Sequence, residues 1–188
     1  GNGCIGTATA VINTVNGGTL AGVSTTLTSY NETCLNSGDG AINLEISGSN
    51  PGPFTYQWSN GQNTSIATGV CAGVHSVTIT DANGCSTTAS GILTQPSAIV
   101  LNPQVLSNYN GSPITCPGAA DGSVGVVAAG GNGGFSYIWS PNGQNTANIN
   151  GLVEGTYCVT VTDVRGCQAD TCITINDPTP LQATFTQV

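Results

Sequence analysis

The chain has 188 residues, 38% of them apolar and 5% charged, with nine acidic side chains against a single basic one, Arg165, for a net charge of −8. Nucleic acid is excluded as a partner, because phosphates are neutralised by Lys and Arg, and so is polybasic attachment to anionic lipid. No apolar run approaches the roughly 20 residues of a bilayer span, so no membrane insertion is expected.

Eight cysteines accompany one histidine, His75. None forms a C-x-x-C pair and one histidine does not complete a Cys/His zinc set, so the cysteines read as disulfides and the compartment as extracellular. Gly1 opens without the basic and hydrophobic regions of a secretion signal, as expected if that signal has been removed or if the chain is an internal excerpt.

Taken in order, residues 1–17 carry Asn2-Gly3-Cys4, which matches Asn83-Gly84-Cys85 and reads as the terminal strand of a preceding repeat. A first full unit follows over 18–97 and a second over 98–179, and 180–188 reads as the first strand of a following repeat. The two units superpose at an offset of 82 residues, as from Cys34 to Cys116. Asp39-Gly40 then falls on Asp121-Gly122, Asp81 on Asp163, Gly84-Cys85 on Gly166-Cys167 and Pro96 on Pro178. Gly61-Gln62-Asn63-Thr64 falls on Gly143-Gln144-Asn145-Thr146. Phe54, Tyr56 and Trp58 meet Phe135, Tyr137 and Trp139 one residue earlier, at 81.

Within the first unit, strands are expected near 22–29, 40–47, 54–59, 64–68, 75–81 and 85–94, with a seventh, short edge strand unplaced. Phe54, Tyr56 and Trp58 alternate with polar residues, as do Val77 and Ile79, which is the period-two pattern of half-buried strands. Gly, Asn, Asp, Pro and Ser fill the gaps, and no segment has a 3.6-residue apolar period. The expected fold is all-β: tandem immunoglobulin-like β-sandwiches with essentially no helix.

The cysteines constrain one another. Cys158 and Cys172 flank the Val164-Arg165-Gly166 turn, and pairing Asp163 with Cys167 sets them directly opposite, within disulfide reach; their counterparts are Ser76 and Ser90. Cys34 with Cys85 and Cys116 with Cys167 is the simplest repeated pairing. In an ordinary immunoglobulin sandwich, however, those positions lie at opposite ends. The repeated cysteines would then link neighbouring units, or Cys34 would pair with Cys71. Connectivity stays open here, with Cys4 and Cys71 unassigned.

Other residues admit a functional and a structural reading. Trp58 and Trp139 are candidates for a sugar-stacking platform, but each shares a face with a Phe and a Tyr, so the set Phe54, Tyr56, Trp58, Phe135, Tyr137 and Trp139 reads as core. Asp39, Asp81, Asp121 and Asp163 recur in step and offer the hard oxygens that calcium takes; Asp also braces turns, and without a D-x-D-x-D cluster no cofactor is expected. Asn31, Asn63 and Asn110 head N-x-[ST] sequons, glycosylated where the source modifies such sites. His75 has no evident nucleophile or orienting partner, and no G-x-S-x-G motif appears, so no enzyme is expected.

The series C-x(4)-D-G, F-x-Y-x-W-S-x(1,2)-G-Q-N-T, then V-T-[IV]-T-D-x-x-G-C and a closing Pro resembles the SprB-type repeat of secreted Bacteroidota surface proteins, a relative of PKD-like and immunoglobulin-like modules. The resemblance implies a repeat segment of a surface adhesin or filament exported by type IX secretion. Its partners would be neighbouring repeats, identical subunits and surface glycans. Departures are His75 where Tyr157 supplies the aromatic, and the additional Cys71, Cys158 and Cys172. A pilus-like subunit polymerising by strand exchange and a carbohydrate-binding module are the alternative functions.

Overall fold

The computed structural model describes residues 5–8, 20, 22–50 and 52–179. The chain divides into two compact units, Gly1–Pro96 and Ser97–Val188. No helix occurs among the described residues.

Unit 1 contains β1 (Ile5–Ala8), β2 (Val23–Tyr30), β3 (Gly40–Gly48), β4 (Phe54–Trp58), β5 (Ile66–Val70), β6 (Gly73–Asp81) and β7 (Ser86–Leu93). They form two antiparallel sheets, β1-β2-β3-β5 and β4-β6-β7. Unit 2 repeats the plan with β8 (Val100–Val105), β9 (Gly122–Ala129), β10 (Ser136–Ser140), β11 (Asn148–Leu152), β12 (Gly155–Thr162) and β13 (Gln168–Ile175). Its sheets are β8-β9-β11 and β10-β12-β13. The repeat thus needs six strands. The extra edge strand of unit 1 is β1, which pairs with β2, Ile5 opposite Tyr30 and Ala8 opposite Leu27. Cys4 and the segment 180–188 lie outside the described residues.

Alternation decides which face each strand buries. Val23, Leu27, Ile42 and Leu44 of one sheet meet Trp58, Val77, Ile79, Ala89 and Leu93 of the other. In unit 2, Val124 and Val126 meet Trp139, Tyr157, Val159, Val161 and Ile175. Thr, Ser, Gln and Asn occupy most intervening positions and face solvent, which is why a chain with so few charges still has a polar outer surface.

The repeated Asp-Gly pair has a separate reason for each residue. A Cβ on Gly40 would lie 2.5 Å from the Val70 carbonyl oxygen, and one on Gly122 would lie 2.8 Å from that of Leu152. Only glycine lets the β3–β5 and β9–β11 backbones approach at these register shifts. The preceding aspartates accept hydrogen bonds across their loops: Thr33 N at 3.0 Å and Thr33 Oγ1 at 2.5 Å on Asp39, Thr115 N at 3.2 Å and Thr115 Oγ1 at 2.6 Å on Asp121.

Candidate functional site

The residues singled out by repetition converge on three places in each unit: the aromatic strand with its loop, the hairpin turn before the last strand, and the loop that follows β2 in unit 1 and β8 in unit 2.

Trp58 and Trp139 are 2% and 1% exposed, with Phe54, Tyr56, Phe135 and Tyr137 half-buried against the same cores. The G-Q-N-T loop holds each indole. Trp58 Nε1 donates to Thr64 O at 2.8 Å and Trp139 Nε1 to Thr146 O at 2.9 Å. Trp58 N donates to Gln62 O, and Trp139 N to Gln144 O, both at 2.8 Å. Gln62 closes the clamp by donating through Nε2 to Thr68 O and accepting at Oε1 from Thr68 N. A buried indole N–H needs an acceptor, and this loop supplies it twice. Neither ring offers a face to a sugar.

In the hairpin turns, Asp81 Oδ1 accepts from Asn83 N and Cys85 N, both at 2.9 Å, while Oδ2 accepts from Asn50 Nδ2. Asp163 Oδ1 accepts from Arg165 N at 2.8 Å and Cys167 N at 3.0 Å, and Oδ2 from Asn132 N and Nδ2. Burial pushes the Asp163 carboxyl up, but these donors together outweigh it and the net shift is downward. The Asp39 carboxyl is held down to about 2, first by the Ser37 hydroxyl and then by Thr33. All four recurring aspartates therefore serve as acceptors for loops of their own units.

Cys158 and Cys172 form a disulfide, opposed in the β12–β13 register with Cα atoms 4.0 Å apart. The repeated pairings Cys34–Cys85 and Cys116–Cys167 are not formed, since Cys85 and Cys116 are free thiols, as is Cys71; Cys34 and Cys167 are disulfide-bonded. The reason is length. Cys34 lies in the β2–β3 loop, which bonds to the segment leaving unit 1: Glu32 N donates to Thr94 O, and Asn36 N to Gln95 Oε1. Cys85 lies in the turn at the far end of β6, whose nine residues span about 26 Å at ~3.3 Å each. A disulfide needs Cα atoms within about 7 Å. Cys71, in the β5–β6 loop, sits beside the Cys34 loop, its Sγ 3.7 Å from a Cβ placed on Gly38.

Two features escape the motif reading. Glu32 is 4% exposed and fills the place of Ile114 in unit 2. Its Oε1 accepts from Ala72 N at 2.9 Å and Gly38 N at 3.3 Å, tying two loops together. A charged residue aligned with isoleucine was the available signal. His75 Nε2 donates to Cys71 O at 2.8 Å, as Tyr157 OH donates to Val153 O at 3.0 Å. Both bonds reach the carbonyl four residues back, so His75 takes over the tyrosine's tie. Of the sequon asparagines, Asn31 accepts from Thr94 N at 3.0 Å, whereas Asn63 and Asn110 are exposed.

The architecture is that of an all-β protein of tandem immunoglobulin-like sandwiches, and one family model matches part of each repeat. The SprB repeat family model matches residues 26–63 and 108–144, once in each unit, and so marks the same repetition that the residues display. No curated protein matches the chain. Among solved structures, the chain is similar to the C-terminal 282-residue fragment of intimin, crystallised in complex with the intimin-binding domain of the translocated intimin receptor. The identity is 14% and the TM-score 0.42, over 80% of this chain and 63% of that fragment.

Proposed function

We propose that this chain is a structural and adhesive repeat segment of an extracellular cell-surface filament or adhesin. The observation that carries the reading is the commitment of the recurring aromatic, aspartate and glutamine side chains to their own units: aromatics fill the cores, aspartates brace the loops, and Gln62 and Gln144 hold the aromatic strands. Nothing in this set is left over for catalysis, and the reading needs no cofactor. Disulfides suit an oxidising exterior, no helix among the described residues is long and apolar enough to cross a membrane, and a single basic residue leaves trypsin-like proteases one site. Type IX export and a Bacteroidota source follow from the SprB resemblance.

The test is labelling of intact source cells with antibody against the chain. Signal on intact cells, lost after shaving with a protease of broad specificity, is expected; signal only after permeabilisation contradicts the reading.

One observation favours strand exchange as a second reading. Leu44 N donates to Ser65 O on the far side of β3, so the Leu27–Leu44 pair is not hydrogen-bonded and Leu27 turns its N–H outward, to the edge that β1 occupies. In unit 2, Val126 N donates to Ala147 O and Val126 is paired with Pro103, which has no N–H to present. The β2 edge accepts a strand, while Pro103 blunts the equivalent edge of β8.

A further inference from the structure

We infer that unit 1 exchanges strands between copies of this chain, Ile5–Ala8 of one copy pairing with the β2 edge of another in place of that copy's own β1. The exchange rests on the reading of β2 as an accepting edge and names its donor, its partner and its register.

The donor strand does not lie where repetition would put it. Asn2-Gly3-Cys4 precedes Ile5–Ala8 as Asn83-Gly84-Cys85 precedes β7, and at the same offset Thr7-Ala8 falls on Thr88-Ala89. β7 pairs with β6, and its counterpart β13 with β12, each in the sheet that also holds the aromatic strand. β1 pairs instead with β2, at the edge of the opposite sheet. A segment of the last-strand kind is therefore held by a strand that its own kind does not pair with inside a repeat. Strand addition of this sort draws its affinity from main-chain hydrogen bonds, which are the same whichever copy supplies the strand.

The β2 edge suits such a strand. Because Leu27–Leu44 is not a hydrogen-bonded pair, the N–H and C=O groups of Leu27 and Ser29 point away from β3, and the register sets Ala8 and Gly6 opposite them. No proline interrupts Val23–Tyr30. The equivalent sheet of unit 2 has three strands among the described residues and ends at β8, where Pro103 stands in place of an outward N–H. A strand beyond β2 is thus an addition to the repeat plan, and of the two equivalent edges only that of unit 1 has its full set of donors.

Length permits the exchange. Fourteen residues, 9–22, separate Ala8 from Val23, and a chain of that length reaches as far as about 50 Å when extended. The tether that brings β1 to its own β2 therefore also reaches the β2 of a neighbour. Own and exchanged pairings make the same bonds, so concentration decides between them. A short flexible tether presents β1 to its own edge at an effective concentration on the order of mM, and copies crowded together compete with that. Releasing β1 leaves the β2–β3 and β3–β5 pairings in place. Each copy gives one strand and takes one, which yields a closed pair or an open series.

The experiment traps the exchanged pair in the full chain, with the free thiols removed by C71S, C85S and C116S. Thr7 and Thr28 are opposed as a non-hydrogen-bonded pair, whose Cα atoms lie about 4.5 Å apart, within disulfide reach. Chains carrying T7C are mixed with chains carrying T28C in a glutathione redox buffer and resolved without reductant. A dimer at twice 18.7 kDa is expected, linking the peptides that contain positions 7 and 28 and forming faster as the chain is concentrated. A8P in the T7C chain removes the N–H that faces Leu27 and should lower the dimer yield by about tenfold. T7C mixed with T55C, which lies exposed on the other sheet, measures chance collision and should give no such dimer. A T7C and T28C mixture that dimerises no more than this control, or equally well with A8P, overturns the exchange. A dilute chain carrying both T7C and T28C should close within itself; closure there without dimer in the mixture defeats exchange between copies and keeps the accepting edge, whereas failure to close defeats both. A chain that labels intact cells but does not exchange defeats this inference alone, and one that exchanges but is found only inside cells defeats the surface function alone.

Discussion

Units 1 and 2 are built to one plan but held by different means. Unit 2 closes its β12–β13 hairpin with the Cys158–Cys172 disulfide and fills the Ile114 position with an apolar side chain. Unit 1 has Ser76 opposite Ser90 in the same register and buries a carboxylate, Glu32, that works by hydrogen bonding to Gly38 and Ala72. On the outer face, Thr156 and Thr174 of unit 2 share a hydroxyl hydrogen bond at 3.1 Å where unit 1 exposes Val74 and Ile92. What stays the same between the units is the aromatic strand, its G-Q-N-T loop and the Asp braces. The invariant parts set the sandwich, and the variable parts set how firmly each copy holds.

The comparison can be broken first at its shared centre. Trp58→Ala or Trp139→Ala should each destabilise its own unit by about 3–5 kcal/mol, read by chemical denaturation with the remaining tryptophan reporting on the other unit. A loss confined to the mutated unit is expected.

Next comes the staple. Replacing Cys158 and Cys172 by serine recreates the Ser76/Ser90 arrangement, and opening a loop of this length should cost unit 2 about 3 kcal/mol. The midpoint reported by Trp139 should fall while that reported by Trp58 holds. Installing cysteines at Ser76 and Ser90 should raise unit 1 in the opposite sense.

Glu32→Ile asks whether the residue of unit 2 serves in unit 1. It should not, because Gly38 N and Ala72 N lose their shared acceptor; about 1–3 kcal/mol of destabilisation is expected, against a smaller loss for Glu32→Gln, which keeps an acceptor oxygen. Equal losses for both variants would show that the carbonyl-type oxygen is not what ties the loops.

The smallest effect is acid sensitivity at Asp39. Its folded pKa is depressed from 3.8 to about 2, so its contribution is complete above the unfolded value and is lost as pH falls through the folded one. Unit 1 should weaken between about pH 4 and pH 2, by well under 1 kcal/mol because the carboxylate is exposed. Removing the Ser37 hydroxyl by Ser37→Ala should reduce that dependence in an acid titration followed by Trp58 fluorescence.

Much of this was legible in the residues, and the parts that were not share a cause. Period-two alternation with Gly and Asp punctuation locates the six strands of unit 1, because half-buried strands write their faces directly into the sequence. Counting outward from the Val164-Arg165-Gly166 turn is enough to oppose Cys158 and Cys172, since a hairpin turn sets its register. The recurrence of Cys34 and Cys85 suggested a bond that the length of β6 forbids; recurrence records that two positions matter without saying that they meet. The partners of Glu32 are backbone N–H groups of two other loops, which leave no mark in side-chain identity. The G-Q-N-T motif was visible as a repeat, but its service to the indole N–H depends on a loop returning over its own strand.

The central claim is that the repeated aromatics are interior structure and not a binding face. Acrylamide quenching of the two tryptophans, in the folded chain with and without a panel of surface glycans, tests it most directly. The account predicts emission shielded in the folded state, unchanged by any glycan, and quenched freely only after unfolding. Free quenching in the folded chain, or emission that shifts on glycan addition while the fold persists, would contradict it.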